Sequence, residues 1–171
     1  MEFEDKYIVV DGRRIRYVDV GEGPAVVMLH GLGYDAAAEQ WYELIERLLP
    51  NYRCVAFDMF GWGLSDRPAD GYTFPAWTNT VVGLLRGLGI RRATLAGHTL
   101  GGWIMGLVAH DHPDLVDKLI LASPASLNST APRSVEGFSI PDRDGVRERM
   151  LYHYVRQEVV TEEFVDKVYK R

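Results

Sequence analysis

The stretch RRATLAGHTLGGW, Arg91–Trp103, decides how the rest of the chain is interpreted. An apolar segment of strand length leads to two glycines, Gly97 and Gly101, that enclose three residues, and a helical pattern follows. Between a strand and a helix, this spacing is typical of a strained turn that lifts the side chain of its middle residue, Thr99, above a sheet. We expect Thr99 to have a positive φ and the N–H of Leu100 to face any negative charge that forms beside it.

The segments around this turn predict an α/β fold. KYIVV and RRIRYVDV alternate around an Asp-Gly turn and predict a hairpin, and four apolar runs predict buried strands: AVVML, YRCVAFD, RATLAG and DKLILASP. Helical patterns separate these runs, so we expect a mostly parallel sheet with helices on both faces. Beyond Pro124, DGVRERMLYHYVRQEVV and TEEFVDKVYKR predict two helices, the second capped by Thr161. We therefore divide the chain into a core over 1–124 and the start of a helical lid over 125–171.

Composition and charge limit the possible function classes. The chain has 171 residues, of which 47% are hydrophobic and 25% charged, as is ordinary for a soluble globular domain. Its net charge of -5 and the lack of a basic run argue against a nucleic-acid partner. No apolar signal segment and no run near the roughly 18 residues of a membrane span occur, so we expect a cytoplasmic protein without membrane contact. The single cysteine, Cys54, is expected to be a buried structural thiol, and no motif indicates a metal or other cofactor.

Two further segments follow predicted strands, at positions where their backbone can lie beside the turn at Thr99. HGLG, His30–Gly33, directly follows the third strand, where the N–H of Leu32 can join that of Leu100 as an oxyanion donor. DMFGWGLSDRP follows the fourth strand, and we expect its Asp58 to form the turn rather than to act in catalysis. These landmarks and the turn at Thr99 resemble the α/β-hydrolase fold superfamily, in particular its capped branch of esterases and carbon–carbon bond hydrolases.

The resemblance implies a hydrolase of carboxylic esters or related acyl substrates. Thr99 then stands at the position of the nucleophile, and the backbone N–H groups of Leu32 and Leu100 form the oxyanion hole. Four residues are expected to contact the substrate: His30, Gly31, His98 and Trp103. Because threonine is β-branched and restricted about χ1, we expect the activity to be weakened. A ligand-binding protein with little turnover, and a cofactor-free lyase or carbon–carbon bond hydrolase, stay open as alternatives.

The resemblance also implies eight strands, of which the sequence predicts six. In that superfamily the acid and the histidine of the triad follow late strands. His153, which lies in a predicted lid helix, is a poor candidate for the base. We therefore expect an incomplete core that is inactive in isolation, and a second chain that carries the C-terminal half of the same hydrolase with the acid and the histidine.

Overall fold

The structure is a computed structural model, and it describes residues 2–33, 36–125 and 142–170. The chain forms two compact units, residues 1–127 and 128–171. The predicted boundary between residues 124 and 125 adjoins the segment 126–141, which lies outside the described residues, so the division into a core and a lid stays a prediction.

A six-stranded sheet forms the first unit. Its strands are β1 Lys6–Val10, β2 Arg13–Val20, β3 Ala25–Leu29, β4 Arg53–Phe57, β5 Ala93–His98 and β6 Val116–Ala122. They lie in the order β1-β2-β4-β3-β5-β6, with β1 and β2 as an antiparallel hairpin and β4, β3, β5 and β6 parallel to one another. This arrangement confirms the predicted mostly parallel α/β sheet.

Three helices cover the two faces of the sheet: α1 Tyr42–Leu48, α2 Phe74–Gly87 and α3 Leu100–Asp111. Alternate residues of each strand point to opposite faces, so the core has two halves. One half packs strand residues such as Leu95 against α2 and α3, through Leu84 and Met105. The other packs Met28 against Ile45 of α1. The predicted helices on both faces are therefore confirmed.

The predicted environment of Cys54 is also confirmed. The residue is buried in β4, in the half of the core that α1 covers. Burial raises the pKa of its thiol to about 11. The thiol is thus held in its neutral form, as expected for a structural cysteine.

Among its described residues, the second unit has two α-helices, α4 Arg143–His153 and α5 Glu162–Tyr169. The hydroxyl of Thr161 accepts a hydrogen bond from the N–H of Phe164 at 3.2 Å, which confirms the predicted cap. The prediction of one helix through DGVRERMLYHYVRQEVV is wrong, because the backbone is extended at Tyr154. Valines follow that point and lower the helix propensity, and Val155 is 98% exposed, so the apolar stripe that suggested a longer helix does not form. Within the described part of the chain, no helix is long and apolar enough to span a bilayer.

Candidate active site

The turn between β5 and α3 has the predicted strained geometry. Thr99 connects the strand to the helix with φ 43° and ψ −108°. Among the described residues, Asp11 and Ser123 are the other non-glycine residues with positive φ. A β-branched residue in this region is a real outlier, and such strain costs on the order of 1–3 kcal/mol. Strain of this kind is concentrated at functional sites, so the backbone supports Thr99 as the central residue of the site.

The two glycines around Thr99 are required by close backbone contacts. A Cβ atom on Gly97 would lie 2.4 Å from the carbonyl oxygen of Gly101. A Cβ atom on Gly101 would lie 2.3 Å from the carbonyl oxygen of His30. Strand, helix and the loop after β3 therefore meet at distances that no other residue type permits.

The loop after β3 touches the Thr99 side chain directly. The N–H of Leu32 donates a hydrogen bond to Thr99 Oγ1 at 3.1 Å. A Cβ atom on Gly31 would lie 2.2 Å from the same oxygen, so the loop can approach only because residue 31 is glycine. The side-chain oxygen of Gln40 accepts from the N–H of Gly31 at 3.2 Å and fixes this peptide. Leu100 is the first residue of α3, and its N–H belongs to the group that an α-helix leaves without an internal partner.

The side chain of His30 holds this loop in position through two hydrogen bonds. Its Nε2 accepts from the N–H of Met59 at 3.1 Å, so Nδ1 carries the ring proton and donates to the carbonyl oxygen of Gly31 at 2.8 Å. The ring is buried. These bonds give His30 a role in holding the loop, and a direct contact between its ring and a substrate stays a prediction.

The hydrogen bonds of Asp58 confirm its predicted role as a turn former, and its carboxylate also contacts the loop after β3. Its carboxylate accepts from the N–H of Leu64 at 2.8 Å within the turn after β4. It also accepts from the N–H of Ala38 at 2.7 Å, just beyond the segment that contains Leu32. Since the carboxylate is fully buried, these bonds and its charge partner determine its position.

That charge partner is Arg16, which the sequence analysis missed. The guanidinium is 2% exposed and contacts four side chains, namely Asp5, Glu39, Tyr42 and Asp58. Burial lowers the pKa of Arg16, but the carboxylates of Asp58, Asp5 and Glu39 outweigh it and hold the pKa above its usual value. The cluster ties the hairpin to the loop after β3 and the turn after β4.

Aromatic rings form a wall beside the turn. Trp103 lies one helical turn beyond Thr99, and its N–H donates to the carbonyl oxygen of Thr99 at 3.2 Å. Its ring lies 4.4 Å from that of Phe74, which in turn contacts Trp77 at 5.6 Å and through it Trp62. Trp62, Phe74 and Trp103 are partly exposed and offer apolar surface of the kind that binds acyl or aromatic groups, whereas Trp77 is buried. A contact of Trp103 with a substrate stays a prediction.

His98 directly precedes Thr99 in the chain. It is the last residue of β5 and is paired with Ala122 of β6. Together with Gln40, Trp41 and Ala122 it lines a pocket of about 250 Å³. A contact between His98 and a substrate stays a prediction.

Among the described side chains, no histidine or carboxylate is hydrogen-bonded to Thr99 Oγ1, and His98 Nδ1, although near it, has no hydrogen-bond partner. His110 and His112 lie at the far end of α3, on the order of 16 Å from Thr99 by the helical rise. The side chain of His153 lies outside the described residues. The structure therefore brings together Thr99, Gly31 and Leu32 of the predicted site, with Leu100 beside them, but no acid and histidine with the geometry of a triad.

Comparisons with known proteins agree with this fold. A family described as the alpha/beta hydrolase fold matches residues 24–158. A 2-hydroxymuconate semialdehyde hydrolase of Pseudomonas sp. (strain CF600) is 36% identical over 123 residues, 71% of this chain and 44% of that protein. Epoxide hydrolase 1 of Caenorhabditis elegans is 32% identical over 120 residues, 69% of this chain and 30% of that protein.

A similar solved structure belongs to a mutant of the meta-cleavage product hydrolase CumD from Pseudomonas fluorescens IP01. It aligns with a TM-score of 0.82 and 28% identity, over 96% of this chain and 62% of that one. The chain thus spans less than two thirds of the length of each of these three proteins.

Proposed function

Because this chain belongs to the alpha/beta hydrolase fold family, we propose that it is part of a hydrolase of carboxylic esters or related acyl compounds, with Thr99 as its nucleophile. The observation that carries this proposal is the hydrogen bond of 3.1 Å from the N–H of Leu32 to Thr99 Oγ1. It places a backbone donor beside a hydroxyl on a strained turn, at the N-terminus of a helix. A binding protein has no need of a donor at this position, whereas acyl transfer needs one for the oxyanion.

The reaction begins when Thr99 Oγ attacks the carbonyl carbon of the ester and its proton passes to a histidine base. The π electrons of the carbonyl move to its oxygen, which accepts hydrogen bonds from the N–H groups of Leu32 and Leu100. Collapse of this intermediate expels the alcohol, which takes the proton from the histidine, and leaves the acyl group on Thr99. Water then attacks in the same way and releases the acid. The substrate carbonyl must replace the Thr99 hydroxyl as the acceptor for Leu32.

The base and the acid belong to further polypeptide, which we place in a second chain that carries the C-terminal half of the hydrolase. Within the described part of the chain, β6 pairs with β5 alone and forms an edge of the sheet. Leu119 and Ile120 of this strand are 38% and 53% exposed. Strands added at this edge would cover those side chains and bring later loops to the carboxyl ends of β5 and β6, next to Thr99.

The proposal is tested on the protein purified from its source under native conditions. Mass measurements under native and denaturing conditions reveal any accompanying chain, and the assembly is then treated with p-nitrophenyl acetate. We expect one acetyl group on a peptide that contains Thr99, followed by its hydrolysis. An assembly that contains an acid and a histidine on its second chain but leaves Thr99 unacylated would overturn the proposal.

Hydrolysis of a carbon–carbon bond is the second candidate. It is favoured by the similarity to a 2-hydroxymuconate semialdehyde hydrolase and to CumD. The same nucleophile and oxyanion donors serve both reactions, so the substrate decides between them. Turnover of 2-hydroxymuconate semialdehyde by the same assembly, without turnover of simple esters, would favour the second candidate.

A further inference from the structure

The N–H of Leu32, which is one of the proposed oxyanion donors, belongs to the peptide that joins Gly31 to Leu32. A peptide is planar, and its C=O and N–H point in opposite directions, so a contact that orients the C=O also orients the donor. The C=O of Gly31 accepts from His30 Nδ1 at 2.8 Å, and the N–H of Leu32 donates to Thr99 Oγ1 at 3.1 Å. The direction of the donor therefore depends on how the chain runs through Gly31.

Gly31 itself restricts the direction of this peptide very little. A glycine is needed here because a Cβ atom would lie 2.2 Å from Thr99 Oγ1. Without a Cβ atom, the φ and ψ of residue 31 are less restricted than those of any other residue type. The loop thus needs a contact before Gly31 as well as the one that His30 makes after it. Gln40 supplies this contact, since its side-chain oxygen accepts from the N–H of Gly31 at 3.2 Å.

The backbone that carries Gln40 is fixed to the core. Gln40 lies in a short 3-10 turn, Ala38–Trp41, and the N–H of Ala38 donates to the buried carboxylate of Asp58 at 2.7 Å. Gly31 is buried, whereas Gln40 is exposed, so its side chain reaches the Gly31 N–H from the surface. A substitution of Gln40 should therefore change the loop and leave the core packing intact.

We propose that Gln40 is a positioning residue for the acyl transfer, because it holds the N–H of Gly31 and so keeps the N–H of Leu32 directed at the carbonyl oxygen of the substrate. The inference rests on the proposed function, and Gln40 acts through the Gly31 peptide rather than on the reacting atoms. An oxyanion donor acts most strongly once negative charge has formed, so a misaligned donor lowers kcat and leaves KM nearly unchanged. A role confined to folding would change stability instead.

The first test measures backbone amide signals of the 171-residue chain labelled with 15N. Gln40→Met has a similar length but no oxygen, so we expect the Gly31 amide proton to move upfield and to exchange with solvent at least about tenfold faster. Gln40→Glu keeps an acceptor oxygen and should preserve the protection of Gly31. Gln157→Met makes the same change at an exposed glutamine of the second unit and is the matched control. Urea unfolding should give the same midpoint for all these variants, since both glutamines are exposed.

The second test measures hydrolysis of p-nitrophenyl acetate by the assembly with the C-terminal half. Removal of a whole oxyanion donor lowers kcat by about 10²–10³-fold, and misalignment causes part of that loss. We therefore expect Gln40→Met to lower kcat at least about tenfold, with KM within about twofold of the wild type. Gln157→Met should change neither constant.

The outcomes separate this inference from the proposed function. Unchanged exchange of the Gly31 amide in Gln40→Met, or an unchanged kcat in an assembly whose Thr99 is still acylated, would overturn the inference and leave the proposed function standing. A raised KM with an unchanged kcat would also overturn it, because Gln40 would then act in substrate binding. A wild-type assembly that leaves Thr99 unacylated would overturn the proposed function, and the inference with it.

Discussion

The methyl group of Thr99 adds strain and restricts the hydroxyl on a turn with a φ of 43°. We expect Thr99→Ser to raise hydrolysis of p-nitrophenyl acetate at least about tenfold in the assembly with the C-terminal half, which corresponds to roughly 1.4 kcal/mol. Thr99→Ala should abolish acylation because it removes the nucleophile. Thr94→Ser, on the same strand, is the control and should not change the rate. An equal or lower rate in Thr99→Ser would mean that the site is adapted to threonine.

Gly31 is constrained by the Thr99 side chain rather than by its own backbone. We expect Gly31→Ala to lower the free energy of unfolding by about 1–3 kcal/mol, because its Cβ would lie 2.2 Å from Thr99 Oγ1 and force the loop away. Gly106→Ala is the matched control: no atom lies within 4 Å of the added Cβ, so in the middle of α3 it should stabilise by roughly 0.5–1 kcal/mol. Urea unfolding of both variants measures the difference, and equal effects would show that the loop is not held against Thr99.

The buried thiol of Cys54 makes stability depend on pH in the alkaline range. Burial raises its pKa from 9.0 to about 11, so the unfolded chain loses this proton before the folded chain does. The contribution of the neutral thiol is therefore complete below pH 9 and is lost as the pH rises toward 11. We expect the stability difference between the wild type and Cys54→Ala to shrink by roughly 2–3 kcal/mol over that range, measured by urea unfolding at each pH. A difference that is constant with pH would contradict the raised pKa.

At the scale of elements, the Arg16 cluster holds β2, the loop after β3 and the turn after β4 together. Arg16→Met would leave the fully buried carboxylate of Asp58 without its cationic partner, so we expect a loss of about 3–5 kcal/mol. Arg14→Met, two residues earlier, breaks a pair in which Arg14 is 58% exposed, and should cost no more than about 1 kcal/mol. Chemical denaturation of the two variants makes the comparison, and similar losses would refute the role of the cluster.

The elements and the turn at Thr99 could be predicted because their signals are local. Hydrophobic periodicity and turn residues lie within each segment, and the glycine spacing around Thr99 directly indicates a tight turn with a positive φ. The Arg16 cluster could not be predicted, because Asp5, Glu39 and Asp58 meet it only after the sheet has brought β2 beside β4. A charged residue in the middle of a strand was the one available signal.

The predicted helix beyond His153 failed for a different reason. Apolar spacing alone favoured this helix, whereas Val155 and Val159 are β-branched and have a competing preference for extended backbone. The two donors of the candidate site lie just beyond strand ends, Leu32 in the loop after β3 and Leu100 at the start of α3, so their positions followed from the strand ends. The acid and the histidine had no such signal, since the triad places them after late strands that the sequence does not predict and that are absent from the described residues.

For the whole molecule, we expect the edge of the sheet at β6 to govern how the chain associates in solution. Among the described residues, β6 pairs on one side only, and its Ile120 is 53% exposed. A strand edge without a partner pairs readily with another chain. We expect the isolated chain to self-associate through β6, and Ile120→Lys to reduce this because a charge on an edge strand opposes pairing. Val9→Lys, on β1 at the opposite edge, is the matched control, because Val9 is 68% exposed.

Sedimentation velocity at several protein concentrations separates the two edges. If the C-terminal half also binds at β6, one surface serves both contacts, so Ile120→Lys should reduce both self-association and assembly with the second chain. Val9→Lys should change neither. A wild-type chain that stays monomeric and folded at every concentration would contradict the open edge and remove the main support for a triad completed by a second chain. If Val9→Lys abolishes self-association and Ile120→Lys leaves it intact, the contact lies at the hairpin instead. Strands added to the sheet there would lie far from Thr99.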